Sequence, residues 1–149
     1  MYIGPMDPKK YDASARYHEP MRGSCIAQVM SQRVLVVDDD DNIRRLEKRV
    51  LERSGYQVEQ AADGHEAIEH IDKDGYAAIV LDLMMPRVDG FGVIEHLAQT
   101  NPDMMSKTVI ATAFPRDAAS HRLDAVCRVI VKPFDIEQLI TAVKECAGA

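Results

Sequence analysis

From Arg33 onward, short runs of purely apolar residues alternate with stretches in which apolar residues return every three or four positions. Residues 34–37 read as a strand with no polar face. Ile43, Leu46, Val50 and Leu51 follow at helical spacing, with charged residues between them. That helix is expected to stop at Ser54-Gly55, because glycine takes the left-handed backbone that suits a helix C-terminus. The cycle then recurs. Residues 57–61 form a weak strand, Asp63-Gly64 a turn, and residues 66–72 a helix that turns Ala67, Ile68 and Ile71 inward. A second wholly apolar strand covers 78–81. A loop rich in Met, Pro and Gly leads to a helix over 91–98, with Val93, Ile94 and Leu97 on one side. Residues 109–113 are the next strand, 115–124 a short, poorly patterned helix, and 129–131 the fifth strand. Asp135, with Gln138 three residues on, has the spacing of a capping box and opens a last helix carrying Leu139, Ile140 and Val143.

Strands that are apolar on both sides belong inside a parallel sheet covered by helices on both faces. The pattern therefore predicts a doubly wound α/β domain with a five-stranded parallel sheet. In such sheets ligands sit at the carboxyl ends of the strands, near the switch in strand order. The residues at those ends are Asp38-Asp39, Asp82, Thr112 and Lys132.

Composition narrows the class. A length of 149 residues suffices for one domain with a core, and 46% hydrophobic against 28% charged residues excludes a disordered or fibrous chain. Residues 1–30 show no sustained period and carry Gly4, Pro5, Pro8, Pro20 and Gly23, so they are expected to form a flexible arm ahead of a domain over 31–149. The net charge is −6, and the arm's Lys9, Lys10, Arg16 and Arg22 offset its own acids, so the acidic excess lies in the domain. An acidic domain argues against direct binding of nucleic acid, which depends on Lys and Arg meeting phosphate. Cys25, Cys127 and Cys146 are odd in number and far apart, with no C-x-x-C pair. Neither a zinc site nor a disulfide framework is expected, and free thiols suit a reducing compartment. The longest apolar run, 77–81, is far too short to insert in a membrane, and the N-terminus lacks the apolar segment of a signal peptide. A cytoplasmic location is the expectation.

The densest chemistry is the run of four aspartates, Asp38 to Asp41, directly after a core strand. Adjacent carboxylates repel one another and resist losing water. Asp38 and Asp39 at one strand end and Asp82 at another are tolerable together if a cation joins them. Hard oxygen ligands with room for waters and phosphate oxygens suit Mg2+. Lys132 brings an ammonium to the same edge and Thr112 a hydroxyl. Together they make a site for a small oxyanion such as a phosphoryl group, with Asp82 as the nucleophile that accepts it. Asp41, with Asp40 as the alternative, is placed to cap a helix beginning near Asn42.

Taken singly, each of these residues has a plain explanation. Asp38 and Asp39 could be ordinary helix-start acids, Asp82 a turn former beside Pro86 and Asp89-Gly90, Thr112 a β-branched strand residue, and Lys132 a solvated charge. Their coincidence at successive strand ends outweighs those explanations. HEAIEH (65–70) is not a zinc motif, since its histidines are five apart and diverge by roughly 140° around a helix. Met84-Met85 and Met104-Met105 read as packing residues. No partner can be assigned to His18, His96 or His121.

The segments VLVVDDDDNIRRL, ADGHEAIEHI, IVLDLMMPRVDGFGVI, VIATAF and VIVKPFD, in this order, resemble the receiver domain of two-component response regulators. The resemblance covers roughly residues 33–147. It implies a flavodoxin-like sheet of order 2-1-3-4-5 flanked by five helices. It implies Asp82 as phosphoacceptor, Asp39 as a direct Mg2+ ligand, Asp38 acting through a metal-bound water, and the main-chain carbonyl of Met84 as a further ligand. Lys132 would pair with the phosphoryl group, Thr112 would move to bond it, and the Lys132-Pro133 bond would be cis. The donor would be a sensor histidine kinase or a histidine phosphotransfer protein, and the output a downstream effector protein. The chain would catalyse only its own phosphorylation and dephosphorylation. A phosphorelay shuttle and a phosphorylation-independent interaction module are the alternatives. A phosphatase would need a second acid where Met84 stands, and a flavodoxin-like cofactor binder would need a neutral loop in place of the aspartates.

Two features depart from the family pattern. Val129 stands where many receivers carry Tyr or Phe, which puts the usual threonine–aromatic switch in doubt. Met84 and Phe114, two residues past Asp82 and Thr112, are apolar and bulky. They are expected to shield an acyl phosphate from water.

Overall fold

A computed structural model of the chain describes residues 32–73, 75–116 and 123–148. The arm expected over 1–30 and residues 117–122 of the expected fourth helix lie outside the described residues, as do His18 and His121. Residues 32–149 form one compact unit.

Its centre is a parallel sheet of five strands, β1 (Arg33–Val37), β2 (Gln57–Ala61), β3 (Ala78–Asp82), β4 (Thr108–Thr112) and β5 (Arg128–Val131), in the order β2-β1-β3-β4-β5. The described helices are α1 (Asp41–Arg53), α2 (Gly64–Lys73), α3 (Gly90–Thr100), the short α4 (Pro102–Met105) and α5 (Ile136–Cys146). The apolar strands serve two cores at once, because successive side chains leave opposite faces of a sheet. Leu35, Val37, Ile79, Leu81 and Ile110 meet α2, α3 and α4 on one side. Val34, Val36, Ala78, Val80 and Val109 meet α1 and α5 on the other. No described helix is long and apolar enough to cross a membrane.

Helix ends follow local chemistry. Asp135 and Gln138 form the expected capping box at α5. Gly55, with φ 101°, follows the last turn of α1. At the start of α1 the expected cap is corrected. The helix begins at Asp41, and Asp40 is the cap, accepting from the N–H groups of Asn42 at 2.9 Å and Ile43 at 3.2 Å. The inward face of α1 is corrected too. Leu46 is 55% exposed and Glu47 is buried in its place. The stripe that faces the sheet is Ile43, Glu47, Val50 and Leu51, the i, i+4, i+7, i+8 set of one helix face, and Leu46 lies about 100° around from Glu47. The helix α4 was not anticipated, because four residues show no period.

The cysteines give a third correction. Cys127, just before β5, and Cys146, the last residue of α5, are joined by a disulfide with S–S 2.04 Å and Cα–Cα 5.7 Å. Nineteen positions separate them, and they meet because α5 runs back along the sheet over β5 and β4. The expectation of free thiols does not hold at these two positions.

Candidate functional site

The strand register builds the site. Val37 pairs with Leu81, so Asp38 and Asp82, each one residue further on, emerge side by side from β1 and β3. These two strands flank the point where the sheet order reverses, the place where ligands bind in such folds. Asp82 pairs with Ala111, and Thr112 pairs with Val131. Each later strand thus carries its polar end residue one step further towards the mouth: Thr112 on β4, then Lys132 after β5.

Asp38 and Asp82 are buried and Asp39 is exposed, and each offers one oxygen within 4.8 Å of the others. Asp38 is held from several sides. Its carboxylate accepts from the Asp40 N–H at 2.9 Å and from the Lys132 ammonium at 2.7 Å, and its carbonyl accepts from the Arg44 guanidinium at 2.7 Å. The Lys132 ammonium also stands 3.6 Å from Asp82. The Lys132-Pro133 bond is cis. Asp82 accepts from the Met84 N–H at 3.2 Å. Met84 itself is 47% exposed at the mouth. Thr112 is buried, and its hydroxyl accepts from the Phe114 N–H at 3.0 Å, so it is turned to its own loop.

Charge balance decides the protonation behaviour. Burial raises the Asp82 pKa, and Asp38 and Asp39 push the same way, against Lys132 and the Met84 N–H. For Lys132, burial works against the charge, but the bond it donates to Asp38 and the charges of Asp38, Asp82 and Glu47 outweigh it, so its pKa rises. Titratable groups shifted by burial and by one another in a single cluster are a mark of functional sites.

Three contributors escaped the sequence reading. Glu47 is buried on α1, and both its carboxylate oxygens lack a hydrogen-bond partner. Burial, Asp38 and Asp82 push its pKa up to about 8, with Lys132 opposing. Its position four after Ile43 and three before Val50 was the available signal. Gly90, the first residue of α3, lets that helix press on the site strand: a Cβ there would lie 2.4 Å from the Asp82 carbonyl oxygen. Arg87, at φ 63°, pairs with Asp63 and ties the loop after β3 to the start of α2. Elsewhere, His96 bonds Asp72 at 2.8 Å, which corrects its lack of an assigned partner. Val129 is exposed on the edge strand β5.

Comparison with known proteins agrees with this geometry. The family model described as "Response regulator receiver domain" matches residues 34–144. Response regulator MprA of Mycobacterium ulcerans is 44% identical over 119 residues, which cover 77% of this chain and 50% of that protein. The Mycobacterium leprae MprA is 41% identical over 116 residues, 75% of this chain and 49% of the relative. The chain thus spans about half the length of the curated relatives it matches. Among solved structures, the receiver domain of Francisella response regulator 1452 superposes with TM-score 0.72 at 30% identity, covering 79% of this chain and 98% of that one. The Thermotoga maritima response regulator TrrA, solved in complex with Mg(2+)-BeF, has the same score and identity, covering 78% and 99%. Sheet order, strand-end acids and the matched segment converge, and this chain belongs to the response regulator receiver domain family.

Proposed function

We propose that this domain accepts a phosphoryl group on Asp82 from the phosphohistidine of a sensor histidine kinase or a histidine phosphotransfer protein, in a Mg2+-dependent reaction, and then changes its binding to a downstream effector protein. The observation that carries the reading is one juxtaposition: three aspartate oxygens within 4.8 Å of one another, with the Lys132 ammonium 3.6 Å from Asp82.

The donor set fits a hard divalent cation. Three carboxylates facing one ammonium leave an excess of negative charge that a doubly charged ion offsets. Asp38, Asp39 and Asp82, with the Met84 main-chain carbonyl, would hold Mg2+, which when bound supplies positive charge against the phosphoryl oxygens. Asp82, ionised, attacks phosphorus with a carboxylate oxygen. The P–N bond to the donor imidazole breaks, and its electron pair stays on the imidazole nitrogen. Lys132 trades its bond to Asp38 for one to a phosphoryl oxygen. Thr112 turns its hydroxyl from the Phe114 N–H to donate to the same group. The added charge thereby moves residues on β4 and β5, and the surface formed by those strands reads out the change. Turnover of a separate substrate is not part of this reading, since the position two past Asp82 holds Met84 and no acid.

Incubating the chain with acetyl phosphate, with and without MgCl2, and weighing it by intact mass spectrometry tests the proposal. The expected result is gain of one phosphoryl group only with Mg2+, and none in Asp82→Asn. Equal labelling of that variant would sink the assignment of Asp82.

A further inference from the structure

Glu47 has no explanation in the packing of α1. It is 3% exposed, and neither carboxylate oxygen has a hydrogen-bond partner. Ile43, Val50 and Leu51 complete the rest of its stripe, and a leucine would fill the remaining place without the penalty of an unbonded buried carboxyl. The charged groups that act on it come from three elements around the site: Asp38 after β1, Asp82 at the end of β3 and Lys132 after β5. No direct hydrogen bond joins it to any of them. A sealed carboxyl beside a cluster of strand-end acids is the arrangement in which a buried water or a hydrated ion supplies the missing donors.

We infer that Glu47 is a positioning residue of the cation site, accepting hydrogen bonds from water held between it and Asp38 and so fixing the Asp38 carboxylate towards the metal. The inference rests on the Mg2+ site proposed above. Mg2+ keeps several of its waters when carboxylates bind it, so an outer acceptor has donors to receive. Groups one step out from the ligands typically change metal affinity by about 10–100-fold. In the absence of a cation, burial and the neighbouring acids keep a proton on Glu47 at neutral pH, and a nearby divalent charge favours its ionised form.

The test is calorimetric titration of MgCl2 into the metal-free chain at about pH 6 and about pH 9, for wild type, Glu47→Gln and Glu47→Leu. At the higher pH both variants are expected to bind about tenfold or more weakly than wild type. At the lower pH glutamine is an equivalent neutral hydrogen-bonding group, so Glu47→Gln is expected to match wild type while Glu47→Leu stays weaker. A purely structural role would not make the ratio of wild type to Glu47→Gln depend on pH. Equal affinity of wild type and Glu47→Leu, or a ratio that is the same at both pH values, overturns the inference and leaves the Mg2+ site standing. Absence of Mg2+ binding by the wild type removes the site itself.

Discussion

The Lys132 ammonium donates to Asp38 at 2.7 Å across 94 positions of sequence, joining the ends of two strands that are not neighbours in the sheet. Both side chains are largely shielded from water, so the bond is not an exposed ion pair of small effect. Replacing Lys132 with Met leaves Asp38 and Asp82 crowded and uncompensated. The metal-free protein is expected to lose on the order of 3 kcal/mol in urea unfolding. Adding Asp38→Asn should recover part of that loss. Strict additivity of the two single changes would show that the bond carries no coupling.

Glu47 should make the metal-free protein less stable as pH rises. Its folded pKa, about 8, lies above the ordinary 4.5, so the folded state holds a proton that the unfolded chain has released. The contribution is fully present below the ordinary value and is lost as pH climbs through the folded one. Within that window each pH unit removes up to about 1.4 kcal/mol. Asp82, also raised, acts with the same sign, so the Glu47 share is read from the difference between wild type and Glu47→Gln. Urea midpoints in a chelator between about pH 5 and about pH 8 should fall for wild type and flatten in the variant. Parallel curves would show that Glu47 ionises normally.

These two acids mark how much of the molecule was legible in its sequence. The strands around Val36 and Val80 were plain because their residues are apolar on both faces, and Asp38, Asp82, Thr112 and Lys132 were found because each closes a strand. Strand starts were less visible. Thr108 and Arg128 extend β4 and β5 beyond the apolar run; the Thr108 hydroxyl bonds the Met104 carbonyl at 2.7 Å and Arg128 pairs with Glu145 at 2.5 Å. Glu47 was missed because a charged residue beside Leu46 suggests a solvated position, and only the packed helix shows which of the two turns inward. Gly90 looked like a turn residue, and its closeness to the Asp82 carbonyl belongs to the fold rather than to any local pattern.

The Cys127–Cys146 disulfide belongs to the same class of feature, and its removal has a clear expected outcome. It closes a loop spanning β5 and α5, its ends 19 positions apart in the sequence. Opening it with a phosphine reductant should lower stability by roughly 3 kcal/mol through the greater freedom of the unfolded chain. The Cys127→Ser variant should show the reduced stability in both conditions, with no further response to reductant. If wild type unfolds at the same urea concentration with and without reductant, the bond contributes nothing to the fold.

If Asp82 accepts a phosphoryl group as proposed, Met84 and Phe114 are predicted to lengthen the lifetime of the acyl phosphate. Both are exposed at the mouth, 47% and 55%, two positions beyond Asp82 and Thr112. A water that displaces the Asp82 oxygen in line must approach phosphorus from the side away from that carboxylate, the solvent side of the cluster. Apolar side chains near that approach would offer the water no strong hydrogen-bond acceptor and would be expected to hinder it by their bulk. Met84→Asn introduces a polar group and Phe114→Glu an acceptor for the water's proton. Each should shorten the lifetime, and the pair together should shorten it further, by about tenfold or more if the glutamate acts as a general base. The decay of Asp82-phosphorylated protein after removal of acetyl phosphate, followed by intact mass, measures this directly. Equal lifetimes in wild type and both variants would show that water reaches the acyl phosphate by a route these side chains do not guard.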